Sequence, residues 1–295
     1  MGYSMAQNLR AKIPEADTLT VFDVNKSSLE RFSKEAVPSN VVLAQNPREV
    51  VENSDYIVSA LPEPQHVKSV FEEVLATSLP NPPSQSTRIF IDSSTIDPTT
   101  SREVAKLVKE KAGAKFVDAP MSGGVVGARA GTLTFMIGAE KEDVPTLREI
   151  LLLMGKKVWH MGPQGTGLSG KLANNYALAI NNIATAEAMN LGMKWGIEGK
   201  ALADLINSAT GKCWPSEINN PVPGVIETAP ASRDYEGGFG VSLMNKDLRL
   251  AMTAASEAGA KLVLAEKAKE VYDETEKAHK GKDFSVVYRW LGGKE

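Results

Sequence analysis

The sequence predicts an α/β domain built on a doubly wound, mostly parallel sheet, followed by an all-helical domain. Three observations carry that expectation. Short apolar runs alternate with amphipathic stretches up to about residue 163. Most of those runs are continuously apolar, as strands covered on both faces are. After Gly162 strand signals cease and long helical patterns take over. A chain of 295 residues suits two cores, so the expected domains are 1–163 and 164–295.

The elements follow in order. The helical pattern Met5, Leu9, Ile13 opens the chain. Strands are expected in TLTVFDV (18–24), YIVSALP (56–62), RIFIDSS (88–94), KFVDAP (115–120), LTFMIG (133–138) and KVWHMG (157–162). Helical stretches between them include REVAKLVKEKAG and KEDVPTLREILLLMG, the second expected to end on Gly155 as a C-cap. Then SGKLANNYALAINNIATAEAMNLGMKWG reads as one long helix closed by Gly196. Further helices are expected near 198–208, 243–258, 262–279 and 284–291. Between the first two of these, Pro215, Pro221, Pro223, Pro230 and the run GGFG (237–240) exclude a long helix.

Composition narrows the function. A net charge of -3 offers no electrostatic case for nucleic acid or an acidic membrane as partner. A lone cysteine, Cys213, allows no internal disulfide and fits a reducing compartment. The three histidines lie far apart without metal-ligand spacing, so no metal site is expected. No apolar run approaches the roughly 20 residues of a membrane span. The first residues form neither an apolar signal nor an Arg-rich transit segment.

Four segments carry candidate chemistry. A dinucleotide fold needs strand, G-x-G-x-x-G and helix, with an acid about 20 residues on for the ribose hydroxyls. Gly2 before the first helix and Asp23 at the end of the VFDV strand match the second half of that pattern; an ordinary βα unit with a surface aspartate matches it equally. GTGLSG (165–170) fits the glycine pattern to the letter, yet no strand follows its helix to supply the acid, so it reads as an interdomain turn. In DAPMSGG (118–124), Ser122, Gly123 and Gly124 follow a strand end, where bare backbone N–H groups can nest a carboxylate. The alternative there is a flexible surface loop. In the long helix, Lys171 and Asn175 share a face. A lysine serves as general acid/base when desolvation or a nearby positive charge brings its pKa toward neutrality, although a lone lysine in a first turn is ordinarily solvated. Asn174, Asn175, Asn181 and Asn182 in one helix suggest a polar, buried face, since asparagine is a poor helix former.

Taken together, these segments resemble the β-hydroxyacid dehydrogenase family. MGYSMAQNL (1–9) resembles the second half of its N-terminal G-L-G-x-M-G-x-x-M-A-x-N-L pattern, DAPMSGG its D-A-P-x-S-G-G, GTGLSGKLANN its G-x-G-x-x-x-K-x-x-x-N, and LMNKDLRLA its downstream lysine segment. DSSTIDP, GKCWPSEINNPVPGV, GGFG and KDFS are similar to the branch acting on 3-hydroxyisobutyrate. The resemblance spans the chain and implies a Rossmann-type fold, NAD as cofactor and oxidation of a small hydroxy acid. It implies Lys171 as the catalytic acid/base, Asn175 positioning the substrate, and Ser122, Gly123 and Gly124 holding its carboxylate. For the cofactor it implies Gly2, Asp23, Leu61, Pro62, Thr95 and Lys246, with Asp23 favouring NAD over NADP. His66 stands where the family often has a cofactor-contacting asparagine. Trp214 is a candidate pocket wall or a core residue. The family pattern also implies a first strand and two further glycines, about a dozen residues, ahead of Gly2. Without them the expected result is two open sheet edges and weakened NAD binding. A homodimer or homotetramer in the mitochondrial matrix is implied as well. Two alternatives stay open: a sister enzyme such as a tartronate semialdehyde reductase, and a non-catalytic dehydrogenase-like binding protein.

Overall fold

The apolar runs of the first half fold as mostly parallel strands between helices. In the computed structural model, which describes residues 1–36 and 40–294, the chain divides into two units, Met1–Lys171 and Leu172–Glu295. The first unit begins with α1 (Gly2–Lys12), β1 (Leu19–Val21), α2 (Lys26–Glu35), β2 (Val41–Leu43) and α3 (Pro47–Glu52). It continues through β3 (Tyr56–Ser59), α4 (Pro64–Val74), β4 (Ile89–Asp92), α5 (Pro98–Ala112) and β5 (Lys115–Asp118). It closes with β6 (Met121–Ser122), α6 (Gly124–Ala130), β7 (Leu133–Gly138), α7 (Val144–Leu152) and β8 (Gly155–Gly162).

These strands form two pieces of sheet. β1 pairs with β2 in parallel, while β3, β4, β5, β7 and β6 form a second sheet in that order, with β8 beside β7. The β3–β4, β4–β5 and β7–β8 pairs are parallel; β7 meets β5 and β6 antiparallel. Among the described residues no strand links β1 to β3, so each keeps an open edge.

The continuous apolar character of β4 and β5 follows from burial on both faces. Ile89, Ile91 and Val117 enter one core with Leu133, Phe135 and Leu147; Phe90 and Phe116 enter another with Phe71, Val67 and Val108. Alternate residues of one strand thus serve different cores. The Phe71 ring meets those of Phe90 and Phe116 edge-on at 5.3 and 5.1 Å, contacts worth about 0.5–1.5 kcal/mol each. Pro98 in the first turn of α5 and the Asp97 carboxylate accepting Thr100 N–H at 2.7 Å start that helix, and Gly113, left-handed at φ 58°, ends it.

Gly155 departs from expectation. α7 ends at Leu152, and Gly155 begins β8 instead of capping the helix. A Cβ there would overlap the Leu133 carbonyl oxygen and reach the Phe135 ring at 2.9 Å. The glycine therefore serves close strand approach. Two short strands, β2 and β6, were not anticipated.

The second unit is helical. α8 (Thr166–Lys194) begins in the first unit and continues into the second, followed by α9 (Gly199–Ser208), α10 (Trp214–Glu217), α11 (Val241–Glu257), α12 (Ala265–His279) and α13 (Val287–Trp290). Ala179, Ala186 and Met189 of α8 pack with Met244 and Leu248 of α11 and Tyr272 of α12. Of the two asparagine pairs in α8, Asn175 and Asn182 are buried and Asn174 and Asn181 exposed, so the buried polar face is narrower than expected. The Asn182 amide donates to the Tyr272 hydroxyl and the Phe284 carbonyl, both at 3.1 Å. Asp283 ties the irregular segment together, accepting from Asn219 Nδ2 at 3.0 Å and from the N–H groups of Phe239 (2.7 Å) and Ser285 (2.9 Å).

Candidate active site

The carboxyl end of β5 organises the first group of candidates. Asp118 is fully buried and accepts the N–H groups of Gly165 at 2.6 Å and Leu168 at 2.8 Å. Burial pushes its carboxyl up to about 6 against the pull of those backbone hydrogen bonds. Two N–H groups of the GTGLSG turn are thus committed to a side chain of the protein. Gly167 lies so close to the sheet that a Cβ would overlap the Met136 carbonyl and reach Asp118 Oδ2 at 2.9 Å. Its glycines serve packing and a turn.

Lys171 follows on the same helix. Its side chain is buried at 6% exposure and its Nζ donates to the Met121 carbonyl at 2.5 Å. The next residues are Ser122, Gly123 and Gly124, the two glycines at φ 128° and 60°, a backbone that L side chains rarely adopt. Gly123 is exposed while Ser122 and Gly124 are half-buried, so the loop presents its backbone at the surface beside the Lys171 anchor. Lys171 and the expected carboxylate loop therefore come together within the first unit.

A second buried network sits under the cofactor candidates. Asp92 lies beside Asp118 in the β4–β5 register. It accepts from the hydroxyls of Ser59 at 2.7 Å and Ser94 at 2.6 Å, and Ser94 Oγ in turn accepts the Leu61 N–H at 2.8 Å. Burial raises the Asp92 carboxyl too. This network fixes the strand-end segments carrying Leu61, Pro62 and Thr95. Gly2, Asp23 and His66 are exposed and lie on separate elements. α1 starts at Gly2 with no side-chain cap and nothing within 4 Å of a Cβ placed there. Asp23 lies just past β1, its Oδ1 accepting Asn25 N–H at 2.8 Å. An open helix N-terminus, an acid past β1 and the strand-end loops past β3 and β4 fit the phosphates, ribose and nicotinamide side of a dinucleotide.

The remaining candidates belong to the second unit. Asn175, one turn beyond Lys171 on α8, is buried, and its amide donates to Asp247 Oδ2 at 2.6 Å and accepts from Asn174 at 3.0 Å. Asp247 was not singled out from the sequence, although it adjoins Lys246; only the packing of α8 on α11 reveals its hydrogen bond to Asn175. Lys246 is half-buried on α11. Trp214 is 50% exposed and stacks on Phe284 at 6.4 Å, partly packed and partly open. Among the described residues no group of three His, Cys, Asp or Glu side chains could hold a metal ion. No described helix is long and apolar enough to cross a membrane.

Comparison with known proteins identifies the family. Residues 1–162 match the NAD-binding domain of 6-phosphogluconate dehydrogenase, and residues 165–291 match the NAD-binding domain of NADP-dependent 3-hydroxyisobutyrate dehydrogenase. The chain is 44% identical to the probable mitochondrial 3-hydroxyisobutyrate dehydrogenase of Dictyostelium discoideum, over 99% of this chain and 88% of that one. It is 42% identical to the mitochondrial 3-hydroxyisobutyrate dehydrogenase of Mus musculus, over 100% and 85%. Among solved structures, Mycobacterium tuberculosis 3-hydroxyisobutyrate dehydrogenase with L-serine superposes with a TM-score of 0.89 at 37% identity, covering 99% of this chain and 95% of that one. With family models matching both halves and relatives at 42–44% identity along nearly its whole length, the chain belongs to the 3-hydroxyisobutyrate dehydrogenases, within the β-hydroxyacid dehydrogenase family.

Proposed function

We propose that this NAD-dependent enzyme oxidises 3-hydroxyisobutyrate to methylmalonate semialdehyde, a step of valine breakdown, with Lys171 as the acid/base. The observation that carries this reading is the buried Lys171 amine anchored at Met121, next to the Ser122–Gly124 backbone. Bound NAD supplies the hydride acceptor. The neutral Lys171 amine takes the hydroxyl proton as the adjacent carbon loses its hydride, and the alcohol becomes a carbonyl. The N–H groups and hydroxyl of Ser122, Gly123 and Gly124 hold the substrate carboxylate, fixing which carbon faces the cofactor. Asn175, its amide oriented by Asp247, positions the substrate hydroxyl.

Leu61, Pro62, Thr95 and His66 are assigned to the cofactor, with Gly2 at the phosphates, and Lys246 is assigned to it on the family resemblance alone. Asp23 selects NAD, because a carboxylate there accepts the ribose hydroxyls and repels a 2′-phosphate. The protein works as a homodimer or homotetramer. The curated relatives are named as mitochondrial enzymes, which supports a place in the mitochondrial matrix.

The test is NADH formation with 3-hydroxyisobutyrate, L-serine and glycerate compared at equal concentration. The expected result is kcat/KM highest for 3-hydroxyisobutyrate, by about tenfold or more, since serine and glycerate put an ammonium or a hydroxyl where a pocket shaped for the methyl group leaves it without hydrogen bonds. A preference for glycerate would assign the sister reaction instead. A folded protein that turns over none of the three would refute the catalytic reading.

A further inference from the structure

We propose that Asp118 is a positioning residue for Lys171: its carboxylate holds the first turn of α8 against the sheet, and thereby sets where the lysine amine stands. The inference rests on the reading of Lys171 as acid/base. Three observations carry it, all within the first unit.

The first is that the carboxylate spans the helix start. One oxygen takes Gly165 N–H at 2.6 Å and the other takes Leu168 N–H at 2.8 Å, so both oxygens are used on the same turn. Lys171 lies three residues beyond Leu168, and its place is set by that turn. The second is that the space around the carboxylate is cut to fit it. A Cβ at Gly138 would overlap Asp118 Oδ1, and one at Gly167 would meet Oδ2 at 2.9 Å, leaving the carboxylate and the helix start no room to shift. The third is that the same short segment grips the lysine itself. Asp118 holds the helix start, and Met121, three residues on, accepts from Lys171 Nζ at 2.5 Å. Ser122–Gly124 follows immediately. Segment 118–124 therefore locates both the amine and the loop assigned to the substrate carboxylate, and the two groups are registered by one stretch of chain. A misplacement of about 1 Å at a reacting group can cost about 100-fold in rate, so such registration matters for turnover.

The arrangement is also one that a purely structural role would not favour. Holding a carboxylate buried here costs stability at neutral pH, because burial opposes its ionised form.

The test is Asp118→Asn, which keeps the shape but replaces an acceptor oxygen by an amide that meets an N–H donor. It is expected to lower kcat about 10- to 100-fold with KM for NAD changed by less than about twofold. In a Lys171→Ala background the same change is expected to cost less than about twofold, because its effect runs through the lysine. Without any cofactor, acylation of Lys171 by an amine-reactive reagent, read by peptide mass spectrometry, is expected to rise several-fold. Asp283→Asn, at a comparably buried node of the second unit, is the control: it should lower Tm and leave Lys171 labelling unchanged. Equal losses of kcat in both backgrounds, or unchanged Lys171 labelling, would overturn the proposal. Near-normal turnover of Lys171→Ala alone would remove the acid/base reading and this inference with it, and it is recognised because that variant leaves Asp118 intact. Should Asp118→Asn fail to fold, Asp118→Glu keeps the charge, displaces it by a methylene, and carries the same expectations.

Discussion

The carboxyl ends of β4 and β5 and the carboxyl end of β1 each carry an aspartate, and the three side chains live in different worlds. Asp92 and Asp118 are fully buried and accept hydrogen bonds from the loops and the helix around them. Asp23 is exposed and accepts the N–H of Asn25 two residues on. The buried pair works inward, fixing Leu61 through Ser94 and the start of α8 through Gly165 and Leu168. Asp23 faces water, as the role proposed for it, accepting ligand hydroxyls, requires. One region is a preset scaffold for the reacting groups; the other is a recognition edge that need not be rigid before its ligand arrives.

If this contrast holds, substitutions in the two regions must separate by kind as well as size. The largest effect is expected from Gly167→Ala, whose new methyl overlaps the Met136 carbonyl and crowds Asp118. Denaturant unfolding should show a loss of about 2–4 kcal/mol, with kcat falling alongside.

A titration sharpens the comparison next. Because folded Asp118 keeps its proton up to about pH 6, the native state binds more protons than the unfolded chain between the ordinary carboxylate range and that value. Its contribution to stability is then full below the ordinary carboxylate range and is lost as pH rises through about 6. Asp92, the titratable neighbour on β4, shifts in the same direction and is common to both proteins compared. The stability of the wild type relative to Asp118→Asn should therefore grow by up to about 3 kcal/mol as pH falls from 7 to about 4. A gap that shrinks over that range would contradict the burial argument.

The smallest change in stability is expected at the other end. Asp23→Ala should alter unfolding by less than about 0.5 kcal/mol, yet lower the preference for NAD over NADP by about tenfold. A large loss of stability there would mean that Asp23 belongs to the scaffold after all.

What the sequence made legible follows physical range. β4, β5 and β7 were readable because burial on both faces forces continuous apolar runs, and α8 because its pattern runs unbroken to Gly196. β2 is three residues with a partly exposed pattern, and β6 only two, too little for periodicity to register. Gly155 looked like a helix cap because a glycine after an apolar helix commonly is one; its true constraint comes from Leu133, 22 positions earlier. Lys171, Ser122, Gly123 and Gly124 emerged from local motifs and proved to be neighbours in the first unit. Asp118 and Asp247 were in view but carried no signal, since their partners lie 47 and 72 positions away. The glycine fingerprint at 165–170 shows the converse: the letters match a phosphate cradle, while the Gly165 and Leu168 N–H groups are taken by a side chain.

The claim on which the rest depends is that Lys171 moves the proton. The most direct test is Lys171→Ala, assayed for NADH formation with 3-hydroxyisobutyrate and, separately, for NAD binding. The account predicts a loss of kcat of about 100- to 10,000-fold with NAD affinity retained. Near-normal turnover in that variant would contradict it.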